Sequence, residues 1–177
     1  ETATQGPEAK RIMVVGDSHA HGRRGDWTWR YRLWKHLHET EASVDFVGPR
    51  RGVYDPARPQ SGTWPESTAY ADPEFDSDHA ARWGLSAGWL EAAPDDLVEE
   101  YRPDVVVLAL GTNDLVATGD SEVAEDRIRL LLEEFRAADP DLDFVVLDVP
   151  VSWAPGASAL NTRLAGSVPT WSTEDSD

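Results

Sequence analysis

The stretch Val14-Val15-Gly16-Asp17-Ser18-His19-Ala20-His21-Gly22 decides how the rest of this 177-residue chain is read. The apolar run before it, residues 11–15, reads as a buried strand. Residues 22–26 are polar and glycine-rich, and a helical pattern begins at about Thr28. A serine on a sharp turn between strand and helix presents its hydroxyl at the open carboxyl edge of a sheet. Backbone N–H groups at the start of the following helix can hold an anion there. The same residue types also serve plain turn chemistry, so this stretch alone leaves both a nucleophile and a structural βα turn open.

Outward from that turn, strands and helices alternate. Trp29, Leu33 and Leu37, with Arg30, Trp34 and His38 adjoining, predict a helix over 28–38 with one broad apolar face. Residues 44–47 form a second short strand, closed by Gly48-Pro49. Residues 50–82 follow neither period and carry Tyr54, Trp64, Tyr70 and Phe75; so long an irregular segment either walls a pocket or packs over the sheet. Pro94-Asp95-Asp96 opens a helix that ends at Tyr101-Arg102-Pro103, with proline in the first turn and acids near the positive end of the dipole. Residues 104–110 are a continuous apolar strand, the pattern of a parallel sheet covered on both faces. Gly111-Thr112-Asn113-Asp114 follows as a loop, then a helix capped by Asp120 or Ser121 with Ala124, Ile128, Leu131, Leu132 and Phe135 on one stripe. Residues 144–149 read as a fourth buried strand and 157–164 as a short helix. Residues 1–10 are expected as a flexible arm and 11–177 as a single α/β domain.

Composition narrows the function. Net charge is −17, and it is lopsided: residues 1–60 carry 10 Lys/Arg against 8 Asp/Glu, residues 61–177 carry 6 against 25. Such a surface repels phosphate backbones and anionic lipid, which argues against nucleic acid as a partner. No apolar run approaches the roughly 20 residues of a membrane span. Without cysteine there is neither a disulfide nor a thiolate metal site. The pairs His19-x-His21 and His36-x-His38 lack a third ligand at a suitable spacing. The polar N-terminal stretch fits a mature end left by signal-peptide removal, so an extracellular setting is expected, with a cytoplasmic one as the alternative.

Ser18 and Asn113 each follow a strand that belongs at the centre of such a sheet, where open α/β sheets bind ligands. An asparagine amide beside an attacking serine can donate to the oxyanion that forms; Asn113 as a simple helix cap is the alternative. Taken together the motifs resemble the SGNH (GDSL-type) hydrolase family. Gly16-Asp17-Ser18 after a strand matches its first block, Gly111-Thr112-Asn113-Asp114 its third, and Gly84 within Trp83-Gly84-Leu85-Ser86-Ala87-Gly88 its looser second. The resemblance covers most of residues 11–165. It implies a three-layer α/β/α fold with a flavodoxin-like parallel sheet ordered 2-1-3-4 and a fifth strand beyond. It also implies hydrolysis of a small-molecule ester by Ser18, with an oxyanion hole from the Ser18 and Gly84 N–H groups and the Asn113 side chain, and neither cofactor nor metal.

One departure matters. The family's fourth block, Asp-x-x-His, supplies the general base, and no such motif is present; the last histidine in the sequence is His79. A serine without its base is a poor nucleophile. A domain incomplete at its C-terminus, with a second polypeptide carrying the fifth strand and the Asp-x-x-His block, is therefore expected, the acidic stretch 173–177 resembling a cut loop. Truncation, or substitution by an internal histidine such as His79 or His19, are the alternatives. An acyltransferase using the same acyl-enzyme, or a binding protein that lacks the base, are the alternative functions.

Overall fold

The computed structural model describes residues 9–57, 66–68, 70, 72–151 and 154–176. Its centre is strand β1 (Lys10–Gly16), which leads into a one-turn helix α1 (Ser18–His21) and then, capped by Thr28, helix α2 (Trp29–Glu39). Strand β2 (Val44–Val47) follows, with a two-residue antiparallel pair β3 (Val53–Tyr54) and β4 (Glu66–Ser67). Helix α3 (Pro94–Tyr101) precedes β5 (Val105–Ala109), α4 (Thr112–Thr118) and the long α5 (Ser121–Ala138). Strand β6 (Asp143–Val146), helix α6 (Ala157–Ser167) and a 3-10 turn (Val168–Thr170) complete the order.

The main sheet runs β2-β1-β5-β6, parallel at every pairing, which is the expected 2-1-3-4 order of the sheet strands. Alternate residues of a strand face opposite sides, and here both sides are covered. Met13 and Val15 of β1 and Val106 and Leu108 of β5 pack under α3, α5 and α6. Val14 and Val107 pack with Ala20 and Ala81 on the other face. Trp34 of α2 closes that side with Phe46 and Phe75. This is why the two central strands read as unbroken apolar runs, and it makes the fold a three-layer α/β/α sandwich.

β6 is the outer strand, paired only with β5 among the described residues and with Val145 45% exposed, which is the open edge expected beside a fifth strand from elsewhere. Three features differ from expectation. Residues 112–118 are a helix rather than loop, started by Gly111 at φ +121° and stopped by Gly119 at φ +69°; two turns are too short to show a period. The buried face of α2 centres on Arg30 and Trp34, rotated from the Trp29–Leu33–Leu37 line. The acidic tail is not a loose end, because the buried Ser176 hydroxyl bonds Leu142 O and receives the Arg136 guanidinium. Residues 1–8 of the expected arm and Trp64 lie outside the described residues, while Lys10 already belongs to β1, paired with Val44.

Helix α5 supplies the largest share of one layer, with Ala124, Ile128, Leu131, Leu132 and Phe135 all buried. Phe135→Ala should therefore cost about 3–5 kcal/mol by urea unfolding, whereas Val123→Ala on its exposed side should stay within about 0.5 kcal/mol.

Candidate active site

The turn after β1 is built around a buried aspartate. Asp17 N–H donates to Ala109 O across to the end of β5 (3.2 Å), and Asp17 Oδ1 accepts the His19 N–H (2.9 Å), capping α1. Ser18 is therefore the first residue of a single helical turn, closed by Gly22 N–H donating to Ser18 O (2.9 Å). Gly16 makes the sharp reversal possible, since a Cβ there would lie 2.4 Å from the Ala20 methyl. Ser18 is half-buried, and among the described residues no side chain hydrogen-bonds to its hydroxyl.

The second loop runs alongside the end of β1, above the point where β2 leaves off. Ala80 N–H donates to Val14 O and Arg82 N–H to Gly16 O, both at 2.9 Å. Trp83 N–H then donates to His21 Nδ1 (3.1 Å), and the chain turns through the exposed Gly84 at φ +82°. The third loop grips the stretch after Gly84. Asn113 Nδ2 donates to Leu85 O (2.8 Å), while Asp114 accepts from Ala87 N–H (2.9 Å) and Gly88 N–H (3.2 Å) and faces Arg127 at 3.3 Å. Capping does not account for Asn113: Gly111 occupies the cap position of α4 and makes no side-chain cap bond. The pairing of Gly16 with Ala109 puts Ser18 and Asn113 two and four residues beyond one rung of the sheet. Ser18, Gly84 and Asn113 thus all lie at the carboxyl edge of β1 and β5, tied through direct hydrogen bonds between their loops.

Three further residues shape this region and were not singled out by the sequence. Asp114 is wholly buried and serves the turn carrying Gly84, although it reads as one more acid in a motif. Arg30 is buried without a carboxylate in contact; it donates to Ala20 O (2.7 Å), Ser77 O (3.1 Å) and the Tyr70 hydroxyl (2.9 Å), and burial lowers its pKa. It fastens the end of α1 to α2, a role hidden by its place on a helix face with charged neighbours. His21 is fully buried, its Nε2 3.3 Å from Glu66 Oε1 but out of line for a hydrogen bond. Burial alone would raise the Glu66 carboxyl, but His21 and the Arg50 guanidinium outweigh it and hold it below its usual range.

The other histidines are committed elsewhere. His79 is fully buried; its Nδ1 accepts the Ala81 N–H (3.0 Å), so its Nε2–H donates to Gly52 O (2.8 Å). Burial, then the nearby Arg30 charge, pushes its pKa well down, and the ring is neutral and fully engaged. That removes His79 as a substitute base. His19 Nδ1 lies 3.0 Å from Asp17 Oδ1. His36 and His38 are exposed near the end of α2, His38 against Trp34. Among the described residues no three His, Asp or Glu side chains are arranged to hold a metal.

These contacts have two measurable effects. His79 stays neutral in the fold but can protonate once unfolded, near pH 6.5. Its contribution is therefore intact above that pH, and stability falls below it by up to about 1.4 kcal/mol per pH unit. Urea titrations between pH 7.5 and 5.5 should show this decline, with a shallower one in His79→Gln. Asp114→Ala leaves the buried Ala87 N–H and the part-buried Gly88 N–H without their acceptor, which should cost about 1–3 kcal/mol and accelerate amide exchange at Ala87 and Gly88 ahead of the sheet.

The model of the GDSL-like lipase/acylhydrolase family matches residues 14–171. A multidomain esterase of Ruminococcus flavefaciens is 31% identical over 144 residues, covering 73% of this chain and 17% of that protein, so the chain spans about a sixth of that relative. Two crystal structures superpose with a TM-score of 0.74, each over 94% of this chain and 76% of the other. One is an acetyl esterase mutant with an acetate ion (26% identical) and the other a carbohydrate esterase family 3 protein from Talaromyces cellulolyticus (27% identical). With its serine turn, its glycine turn and its Gly-x-Asn-Asp loop gathered at one sheet edge, this chain belongs to the GDSL-like lipase/acylhydrolase family.

Proposed function

We propose that Ser18 is the nucleophile and that the N–H groups of Ser18 and Gly84, with Asn113 Nδ2, form the oxyanion hole. The Ser18 hydroxyl attacks the ester carbonyl carbon, and its proton passes to a base. The carbonyl oxygen becomes an oxyanion facing these donors, whose stabilisation is felt in the transition state. Collapse expels the alcohol, which takes the proton, and leaves the acyl group on Ser18; water then repeats the sequence and releases the acid.

The observation that carries this reading is the bond from Asn113 Nδ2 to Leu85 O. A primary amide has two N–H donors. One is spent holding the residue next to Gly84, which leaves the other for the oxyanion. The base is an imidazole of an Asp-x-x-His block that follows a further strand paired with the outer edge of β6. Support comes from the engagement of His79 by two backbone groups and from the exposure of Val145 on that strand. The substrate class we assign is an acetyl ester carried on a carbohydrate. The two structural relatives bear those descriptions.

In the active enzyme, Ser18→Ala should abolish both hydrolysis of an acetylated sugar and covalent labelling by a fluorophosphonate, read by intact mass. Asn113→Ala should lower kcat about 10²–10³-fold, equivalent to about 2.7–4 kcal/mol of transition-state stabilisation. Full activity in Ser18→Ala would refute the assignment, and labelling of a different serine would do the same.

A further inference from the structure

Ser18 and His21 are the first and last residues of the same helical turn. The fully buried His21 ring accepts the N–H of Trp83 immediately before Gly84. One turn of helix thus carries both the nucleophile and the group that grips the glycine turn. The backbone on either side of His21 is itself held. Gly22 O, the next backbone group, accepts from Tyr54 N–H (3.0 Å), and Ala20 O just before it accepts from Arg30. The Tyr54 ring packs on the Trp83 indole with centroids 4.7 Å apart. On the ring's other side, Glu66 pairs with Arg50, Arg50 with Glu91, and Glu91 with Arg82, the residue before Trp83. The chain of contacts therefore closes on itself, from His21 through four charged side chains back to the peptide His21 holds.

We infer that His21 is a positioning residue that sets the separation between Ser18 and the oxyanion donor at Gly84 through its hydrogen bond to Trp83 N–H; this rests on the proposed roles of Ser18 and Gly84. The geometry requires Nδ1 to be unprotonated, because it accepts. The proton of the neutral ring then sits on Nε2, on the Glu66 side. A buried histidine that only filled space would have no preferred acceptor atom, and an apolar side chain of similar size would replace it. A positioning histidine acts on a donor used in the transition state, so its loss appears in kcat and not in KM. A displacement of an ångström at such a donor is worth about 10²-fold.

The test uses the active enzyme, including any polypeptide that supplies its base, with p-nitrophenyl acetate as substrate. His21→Leu should lower kcat about 10- to 100-fold with KM changed by less than about twofold. His21→Asn keeps an acceptor oxygen at the Nδ1 position and should recover most of that loss. In ¹⁵N-histidine spectra of the unmodified protein, the resonance absent from His21→Asn should be an Nε2–H tautomer. Wild-type kcat in folded His21→Leu would overturn the inference, as would equal impairment in the Leu and Asn variants, or a proton on Nδ1. If His21→Leu does not fold, the Asn variant and the tautomer decide. Undiminished activity in Ser18→Ala would instead overturn the underlying assignment, which separates the two failures.

Discussion

Two neighbouring side chains on α4, Asn113 and Asp114, hold a stretch of backbone that pairs with no strand among the described residues, and the arrangement at the sheet edge depends on that hold. Residues 85–88 have left the ladder: Ala80 and Arg82 still donate to β1, but beyond Arg82 no backbone bond to a strand continues among the described residues. Their polar groups must be satisfied by something else. Asn113 takes the Leu85 carbonyl and Asp114 takes two successive N–H groups, the carboxylate strengthening both bonds by its charge. Because the contacts come from adjacent residues on a helix, they are delivered as a rigid pair.

That rigidity is inherited from the layers beneath. Gly111 starts α4 where a Cβ would lie 3.0 Å from both Leu160 and Val149, so α6 and the chain after β6 press directly on the loop. Asn161 on α6 closes the same contact by bonding both the N–H and the carbonyl of Val149. The buried stripe of α5 packs into this layer from below. On the opposite face Arg30 plays the matching part for α1, its positive charge spread over carbonyls at the end of a short helix. Each wall of the site is thus pinned to a different layer of the fold, and the sheet between them sets their distance.

Much of this was legible in the residues. The apolar runs of β1 and β5 declared a doubly covered parallel sheet, and α5 announced itself by both its cap and its stripe. Ser18, Gly84 and Asn113 were picked out by the resemblance of three short blocks, in order, to those of the family. The features that escaped did so for physical reasons. α4 has only two turns, so no periodicity marks it. Arg30 and His21 are polar residues buried by distant carbonyls and amides, and no local pattern foretells a partner many residues away. Asp114 sat inside a motif already noticed for Asn113, and its own contacts lie with a turn 26 residues earlier.

The central claim is geometric: hydroxyl, glycine N–H and asparagine amide face one point in space. A crystal structure of the active enzyme carrying a phosphonate on Ser18 tests it most directly. The account predicts one phosphonyl oxygen within about 2.7–3.1 Å of the Ser18 N–H nitrogen, the Gly84 nitrogen and Asn113 Nδ2 together. An oxygen turned to solvent, or Gly84 and Asn113 out of its reach, would contradict it.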